Sequence, residues 1–444
     1  MTEINPHPVV QLSPLINGIL ADTNNQIDTL LQIRAPACKR AEKRPPLNLA
    51  IVLDRSGSMC GEPLNQAKRC AKYFVSQLQA TDRIAIIAYD HRATTLLKCE
   101  PVGNHFRAID AIDSIQEGGM TNLHLGWQTG VNELQPSVTP DTISRVLLLS
   151  DGCANQGLTD PEQIAEACRR ASMASISTST YGLGWHFNED LMALMAQSSE
   201  GQAYFGETAE DLFEPFQQEF DLLSSLYARR VRLALDCAPG IQAEVLNSYV
   251  GGKQKNLPDL AHDAEIWAMV RFHVPKIATG SGTGEILRIG EIRISGINLE
   301  GHPLDIGSVE CVLPSLELNA HKALTENQLV RRRLGEVLAA DLQSQAREAA
   351  RQGRWDKVNQ LLAQARELAA DNPWVEAIID HLERLAREKD QGRFSKEARY
   401  SSLQLSTRYA TVNEGIDDLA IDPTEKSFAR RKRQQGKGSG KEQA

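Results

Sequence analysis

The chain has 444 residues, of which 41% are hydrophobic and 24% charged, and its formal net charge is −9 at pH 7. That length exceeds one ordinary core and predicts two or three domains of a globular, soluble protein. The acidic balance argues against a nucleic-acid binder, no apolar run approaches the roughly 18 residues of a membrane helix, and residues 1–8 lack the basic segment and apolar core of a secretion signal, so a cytoplasmic location is expected.

From the N-terminus, residues 9–12 and 27–33 have the character of strands. About 40 residues cannot build an independent domain, so residues 1–43 are expected to pair with strands later in the chain. From residue 44 the pattern alternates. Apolar runs at 47–54, 83–90, 94–99, 145–151, 175–183 and 202–205 read as strands, and helical periodicity occupies 63–79, 104–115, 122–134, 161–173, 188–198 and 209–226. This is the pattern of a doubly wound α/β domain over 44–226, with a parallel sheet and helices on both faces. With the common strand order 3-2-1-4-5-6, the reversal falls between the strands ending at 54 and 151, where such sheets bind ligands.

Three segments at those loops carry oxygen-bearing side chains: Asp54-Arg55-Ser56-Gly57-Ser58, Gly118-Gly119-Met120-Thr121-Asn122 and Ser150-Asp151-Gly152. Mg²⁺ is small and hard, wants oxygen ligands in octahedral geometry and keeps several waters, so a site for it offers few charged groups and open positions. Asp54, Ser56, Ser58, Thr121 and Asp151 make such a set. In a loop leaving a strand, an Asp-x-Ser-x-Ser spacing can aim three oxygens at one point, while Gly57 permits a tight bend. No His or Cys joins them, which argues against zinc, and Mn²⁺ and Ca²⁺ take the same oxygens. Each segment alone has a local reading: Asp, Ser and Gly dominate turns, and the Gly-Gly-x-Thr-Asn segment can cap a helix beginning near Asn122. Their occurrence in order, two of them ending central strands, favours the cation.

These segments resemble the metal-ion-dependent adhesion site (MIDAS) of a von Willebrand factor A (vWA) domain, and all five positions of that pattern are matched. The resemblance covers roughly residues 44–226 and is to the intracellular bacterial type. It implies a Rossmann-like fold in which Ser56, Ser58 and Thr121 approach the metal directly or through water. Asp54 and Asp151 then supply charge, often through water, and an Asp or Glu of a partner protein completes the coordination.

Residues 227–318 hold strand-like runs at 231–235, 243–250, 265–274, 286–294 and 309–318 between Gly- and Pro-bearing turns, which predicts an antiparallel β-sandwich carrying the α/β domain. The Gly-rich run at 280–284 lacks the Gly-Lys-Ser/Thr ending of a phosphate-cradling loop and reads as a hairpin connection. Residues 319–400 turn to Ala, Leu, Glu, Arg and Gln, with helices expected at 322–352, 354–370 and 373–390 and one tetratricopeptide-like hairpin packed on the body of the protein. Trp355 and Trp374 read as core anchors. Residues 401–444, which include Arg430-Arg431-Lys432-Arg433, read as an extended, disordered basic tail. Eight cysteines (Cys38, Cys60, Cys70, Cys99, Cys153, Cys168, Cys237, Cys311) without a Cys-x-x-Cys pair predict reduced thiols.

No Gly-x-Ser-x-Gly elbow or His-Glu-x-x-His occurs and the ten histidines are dispersed, so the chain reads as a non-enzyme. Metal-assisted hydrolysis stays formally open, since a cation with free positions is also a Lewis acid. The favoured function is a binding module whose Mg²⁺ bridges to a carboxylate of a partner protein. A second reading, implied by the resemblance to intracellular bacterial vWA proteins, is an adaptor or subunit of a MoxR-like or chelatase-like AAA+ ATPase machine. The chain has no Walker motif, so ATPase activity would come from that partner. A third is a metal that only stabilises the loops.

Overall fold

The computed structural model describes residues 7–37, 44–151, 154–206, 209–276, 284–368, 372–407 and 410–411. Strands β1 (Val9–Pro14), β2 (Ile19–Leu20) and β3 (Asn25–Arg34) come first. An alternating series follows: β4 (Leu47–Asp54), α1 (Glu62–Ser76), β5 (Arg83–Tyr89), β6 (Ala93–Pro101), α2 (Phe106–Asp113), α3 (Leu123–Leu134), β7 (Ile143–Ser150), α4 (Pro161–Met173), β8 (Ile176–Leu183), α5 (Glu189–Ser198), β9 (Ala203–Gly206) and α6 (Phe213–Ser224). Then come β10 (Leu226–Cys237), β11 (Gln242–Val245), β12 (Gln254–Asn256), β13 (Leu260–Ala261), β14 (Ala264–Val274), β15 (Ile286–Ile297) and β16 (Pro303–Leu316). Helices α7 (Leu318–Lys322), α8 (Gln328–Arg351), α9 (Trp355–Leu368), α10 (Pro373–Glu388) and α11 (Gln391–Thr407) precede the short β17 (Ala410–Thr411). Two compact units result among the described residues, one centred on 44–226 and the other on 7–37 together with the described part of 227–411.

In the first unit the sheet order is β6-β5-β4-β7-β8-β9. Neighbours are parallel except β6, which runs antiparallel to β5. Numbered within the unit, this is the expected 3-2-1-4-5-6 order. Every residue of β4 and β7 is buried, the condition that requires their continuous apolar runs. Helix α3 approaches the sheet through glycines: a Cβ on Gly130 would lie 2.6 Å from Val52 Cγ2, and one on Gly126 2.4 Å from Tyr89 Cγ. Asn122, Asp160 and Asn188 cap α3, α4 and α5 by accepting N–H bonds from Leu125, Gln163 and Leu191. Helix α6 is held by a buried ion pair, Glu219 to Arg145 of β7 at 2.5 Å; Glu219 also accepts from Ser179 and Tyr204.

The second unit is a sandwich of two sheets, β1-β3-β14-β11 with β17 on β14, and β12-β10-β15-β16-β2 with β13 on β10. The early strands do pair with later ones: β3 runs antiparallel to β14 from Asn25↔Val274 to Arg34↔Glu265. Leu31, Ile33, Ile266 and Val270 of one sheet share a core with Val231, Leu233, Ile292 and Ile294 of the other. Among the helices, α8 ends at Gly353 (φ +70°), where the Gly353 and Arg354 N–H groups return to the carbonyls of Ala350 and Ala349. Trp355 and Trp374 pack, partly buried, against the core of α8–α11.

One expectation is corrected here. Residues 401–407 are the last turns of α11, not the start of an extended tail. Polar residues hide that helix in the sequence: Ser395 accepts from Arg347 (2.9 Å) and Ser401 bonds to Gln343 (2.9 Å), both of α8. Cys60, Cys70, Cys99, Cys168, Cys237 and Cys311 are free thiols. Cys38, Gly152, Cys153, residues 280–283 and the basic run beyond 411 lie outside the described residues.

Candidate metal centre

Strand register brings the site together. In the parallel ladder Asp54 of β4 is level with Tyr89 of β5, and Leu53 with Leu149 of β7, so the next step sets Asp54 beside Ser150. Asp54 is fully buried. Its Oδ2 accepts the hydroxyls of Ser150 (2.6 Å) and Tyr89 (3.3 Å), and its Oδ1 accepts the Ser56 N–H (2.8 Å), which folds the loop back over the strand end. Asp151 follows β7 directly. Its Oδ1 accepts the Ser58 hydroxyl at 2.7 Å, and the Ser58 and Ser56 hydroxyls lie 3.2 Å apart. Asp54, Ser56, Ser58 and Asp151 are therefore one connected cluster.

Thr121 is placed through its backbone. The Gly57 N–H donates to Gly119 O (2.8 Å) and the Gly118 N–H to Arg55 O (2.7 Å), fastening this loop to the one carrying the serines. On the other side the Thr121 N–H donates to Asn155 Oδ1 (3.0 Å), while Thr121 O accepts from the Asn155 and Gln156 N–H groups. The Thr121 side chain is buried at the junction, and the neighbouring Met120 and Leu125 stand exposed at 52% and 39%.

Two carboxylates with little compensation dominate the electrostatics. Burial pushes the Asp54 carboxyl above the ordinary range, against the hydrogen bonds from Ser150, Ser56 and Tyr89. Burial likewise pushes Asp151 up to about 6; the charge of Asp54 adds to this, while the Ser58 hydroxyl and His186 oppose it. Arg55, next to Asp54 in sequence, turns instead to Asp90 at 3.1 Å. A cation would relieve both carboxylates, and hydroxyls beside carboxylates are the donors a hard cation takes. Among the described residues no group of three or more His, Cys, Asp or Glu side chains is placed to hold a metal ion.

The sequence pattern did not mark Tyr89, Asn155 or Asp90, and it named Ser150 beside Asp151 without a role of its own. Ser150 and Tyr89 end strands, and only the ladder shows that both face Asp54. Asn155 had no signal beyond its distance of a few residues from Asp151.

The family model of the von Willebrand factor type A domain matches residues 48–219. Among curated proteins, the uncharacterized protein sll0103 of Synechocystis sp. is 31% identical over 211 residues, covering 47% of this chain and 50% of that one. Human inter-alpha-trypsin inhibitor heavy chain H3 is 30% identical over 167 residues, 36% of this chain and 19% of that one. The chain thus spans half or less of the length of these curated relatives. Among solved structures, a von Willebrand factor type A protein from Catenulispora acidiphila matches with TM-score 0.70 at 15% identity, covering 92% of this chain and 98% of that one. The ArnB paralog VWA2 from Sulfolobus acidocaldarius matches with TM-score 0.58 at 16% identity over 90% and 99% of the two chains. At these identities the structural likeness speaks for the fold. No helix among the described residues is long and apolar enough to cross a membrane.

Proposed function

Residues 48–219 form a von Willebrand factor type A domain, a domain that generally mediates protein–protein contacts, and from that premise we propose that this chain binds a partner protein through a divalent cation. Asp54, Ser56, Ser58, Thr121 and Asp151 hold the cation, with Mg²⁺ the natural occupant and Mn²⁺ or Ca²⁺ able to replace it. The serine and threonine oxygens would face the metal, the two aspartates would supply negative charge, and an Asp or Glu of the partner would complete the site. When bound, the cation supplies the positive charge that recruits this carboxylate.

The observation that carries the reading is the convergence of two desolvated carboxylates and the Ser56 and Ser58 hydroxyls at the ends of β4 and β7. Met120 and Leu125 give the partner apolar surface beside the metal. Titration calorimetry of the full chain with MgCl₂ and MnCl₂, followed by partner capture in parallel with Mg²⁺ and with EDTA, tests the proposal. Capture should require the cation and fail with a folded Asp54→Ala variant; equal recovery in EDTA and with that variant would sink it.

A further inference from the structure

A third carboxylate stands at the end of a strand in this sheet. Asp90 follows β5 directly, and its carboxylate bonds to residues outside the cluster of Asp54, Ser56, Ser58 and Asp151. Its Oδ1 accepts the Arg92 N–H at 2.7 Å and lies 3.1 Å from His91 Nδ1, and its Oδ2 accepts Arg55 Nε at 3.1 Å. Its carbonyl accepts the Asn122 N–H at 2.7 Å.

Asp90 also touches the glycines before Thr121. A Cβ built on Gly118 would lie 2.2 Å from Asp90 Oδ2, so only glycine lets residues 118–119 rest on this carboxylate. Desolvation works the other way, but the N–H groups of Arg92 and Gly119 and the Arg55 guanidinium hold the Asp90 carboxyl below the ordinary range. The Asp90 side chain is thus bonded to Arg55, on the loop that carries Ser56 and Ser58, and to the Gly119 N–H, with Gly118 resting against it, while its backbone carbonyl takes the Asn122 N–H of the segment that carries Thr121.

We propose that Asp90 is the positioning residue of the metal centre: through Arg55 on one side and residues 118–122 on the other, it sets the separation between the Ser56 and Ser58 hydroxyls and Thr121. The inference rests on the proposal that these oxygens hold a cation. A hydroxyl site with few charged ligands binds well only if its oxygens are held at the metal's own spacing before the metal arrives. Groups that orient metal ligands from behind carry about 10- to 100-fold of affinity in known sites.

The test uses the full chain with Mn²⁺ and Mg²⁺ alone as probes. Asp90→Ala and Asp90→Asn should weaken cation binding by about tenfold or more in calorimetry of protein shown to be folded. Gly118→Ala should do the same, and Asp90→Ala combined with Gly118→Ala should lose less than the product of the two effects, because removing the carboxylate clears the clash. A purely structural role would lower the melting temperature in EDTA and leave the dissociation constant of the folded protein unchanged; that result overturns the inference. Hydrogen exchange at the Gly119 amide, which bonds to the Asp90 carboxylate, reads the tether in EDTA without any cation. Faster exchange in Asp90→Ala supports it, and unchanged exchange counts against it. A wild type that takes up neither cation, yet shows the exchange difference, refutes the metal proposal and leaves the tether standing.

Discussion

Ser58 donates its hydroxyl proton to Asp151 across 2.7 Å, joining two strand-end loops that are 93 residues apart in sequence. The bond engages one carboxylate oxygen and one hydroxyl, and it draws together groups that a cation would take. Ser58→Ala should therefore weaken Mg²⁺ binding by about tenfold, in line with the loss of one oriented oxygen contact. Because Ser58 is exposed, the melting temperature in EDTA should move little, by an amount equivalent to about 0.5 kcal/mol or less. Calorimetry and a thermal melt on the same sample check both halves.

Asp54→Asn separates the cost of the carboxylate from its use. Asparagine keeps an acceptor oxygen for the Ser56 N–H, turns its amide NH2 toward the Ser150 and Tyr89 hydroxyls, which can accept, and removes a charge that burial disfavours. In EDTA this variant should be at least as stable as the wild type. Wild-type protein at a Mg²⁺ concentration of about 100 times Kd should gain roughly 2.7 kcal/mol, and the variant almost none. Equal Mg²⁺-induced shifts in the two proteins would contradict the assignment.

The pH dependence has a definite sign. The Asp151 carboxyl stands at about 6 in the folded chain, against about 3.9 for an unperturbed aspartate. The folded state then holds this proton more tightly than the unfolded state. The stability it contributes is complete below the unfolded value and is lost as pH rises through about 6, and Asp54 is shifted in the same direction. A cation competes with that proton. The difference in melting temperature between Mg²⁺ and EDTA should widen from pH 5 to pH 7, and a difference independent of pH would refute the link.

The Arg145–Glu219 pair anchors α6 without taking part in the metal centre. Both residues are buried, and Glu219 also accepts from Ser179 and Tyr204. Glu219→Ala removes the carboxylate that faces the buried Arg145 guanidinium and should destabilise the domain by about 3–5 kcal/mol in urea unfolding. A loss under about 1 kcal/mol would mean that water reaches the pair.

Gly126→Ala tests how packing reaches the metal centre. The added methyl would lie 2.4 Å from Tyr89 Cγ, and the Tyr89 hydroxyl donates to Asp54. Overpacking should cost about 1–3 kcal/mol. The displaced ring should also weaken Mg²⁺ binding, which calorimetry on the folded variant would show.

The α/β alternation was legible because buried parallel strands need unbroken apolar runs, as in β4 and β7. Asp54, Ser56, Ser58 and Asp151 stood out as polar residues where those runs stop. Helix α11 was not legible, the last expected helix ending at residue 390, since Ser401 is tied to Gln343 by a bond that no local periodicity encodes.

Hydrophobic periodicity and turn chemistry are local, so the sequence by itself determined the doubly wound sheet, its switch point and the oxygen-bearing loops. Which side chains meet is set by ladder register and loop-to-loop hydrogen bonds between distant residues, and only the tertiary structure decided that. It set Ser150 and Tyr89 on Asp54, tied Ser58 to Asp151, and put Asp90 between Arg55 and Gly118. Desolvation follows the same rule: an aspartate in a sequence has its ordinary acidity, and only its burial beside another carboxylate moves Asp151 to about 6.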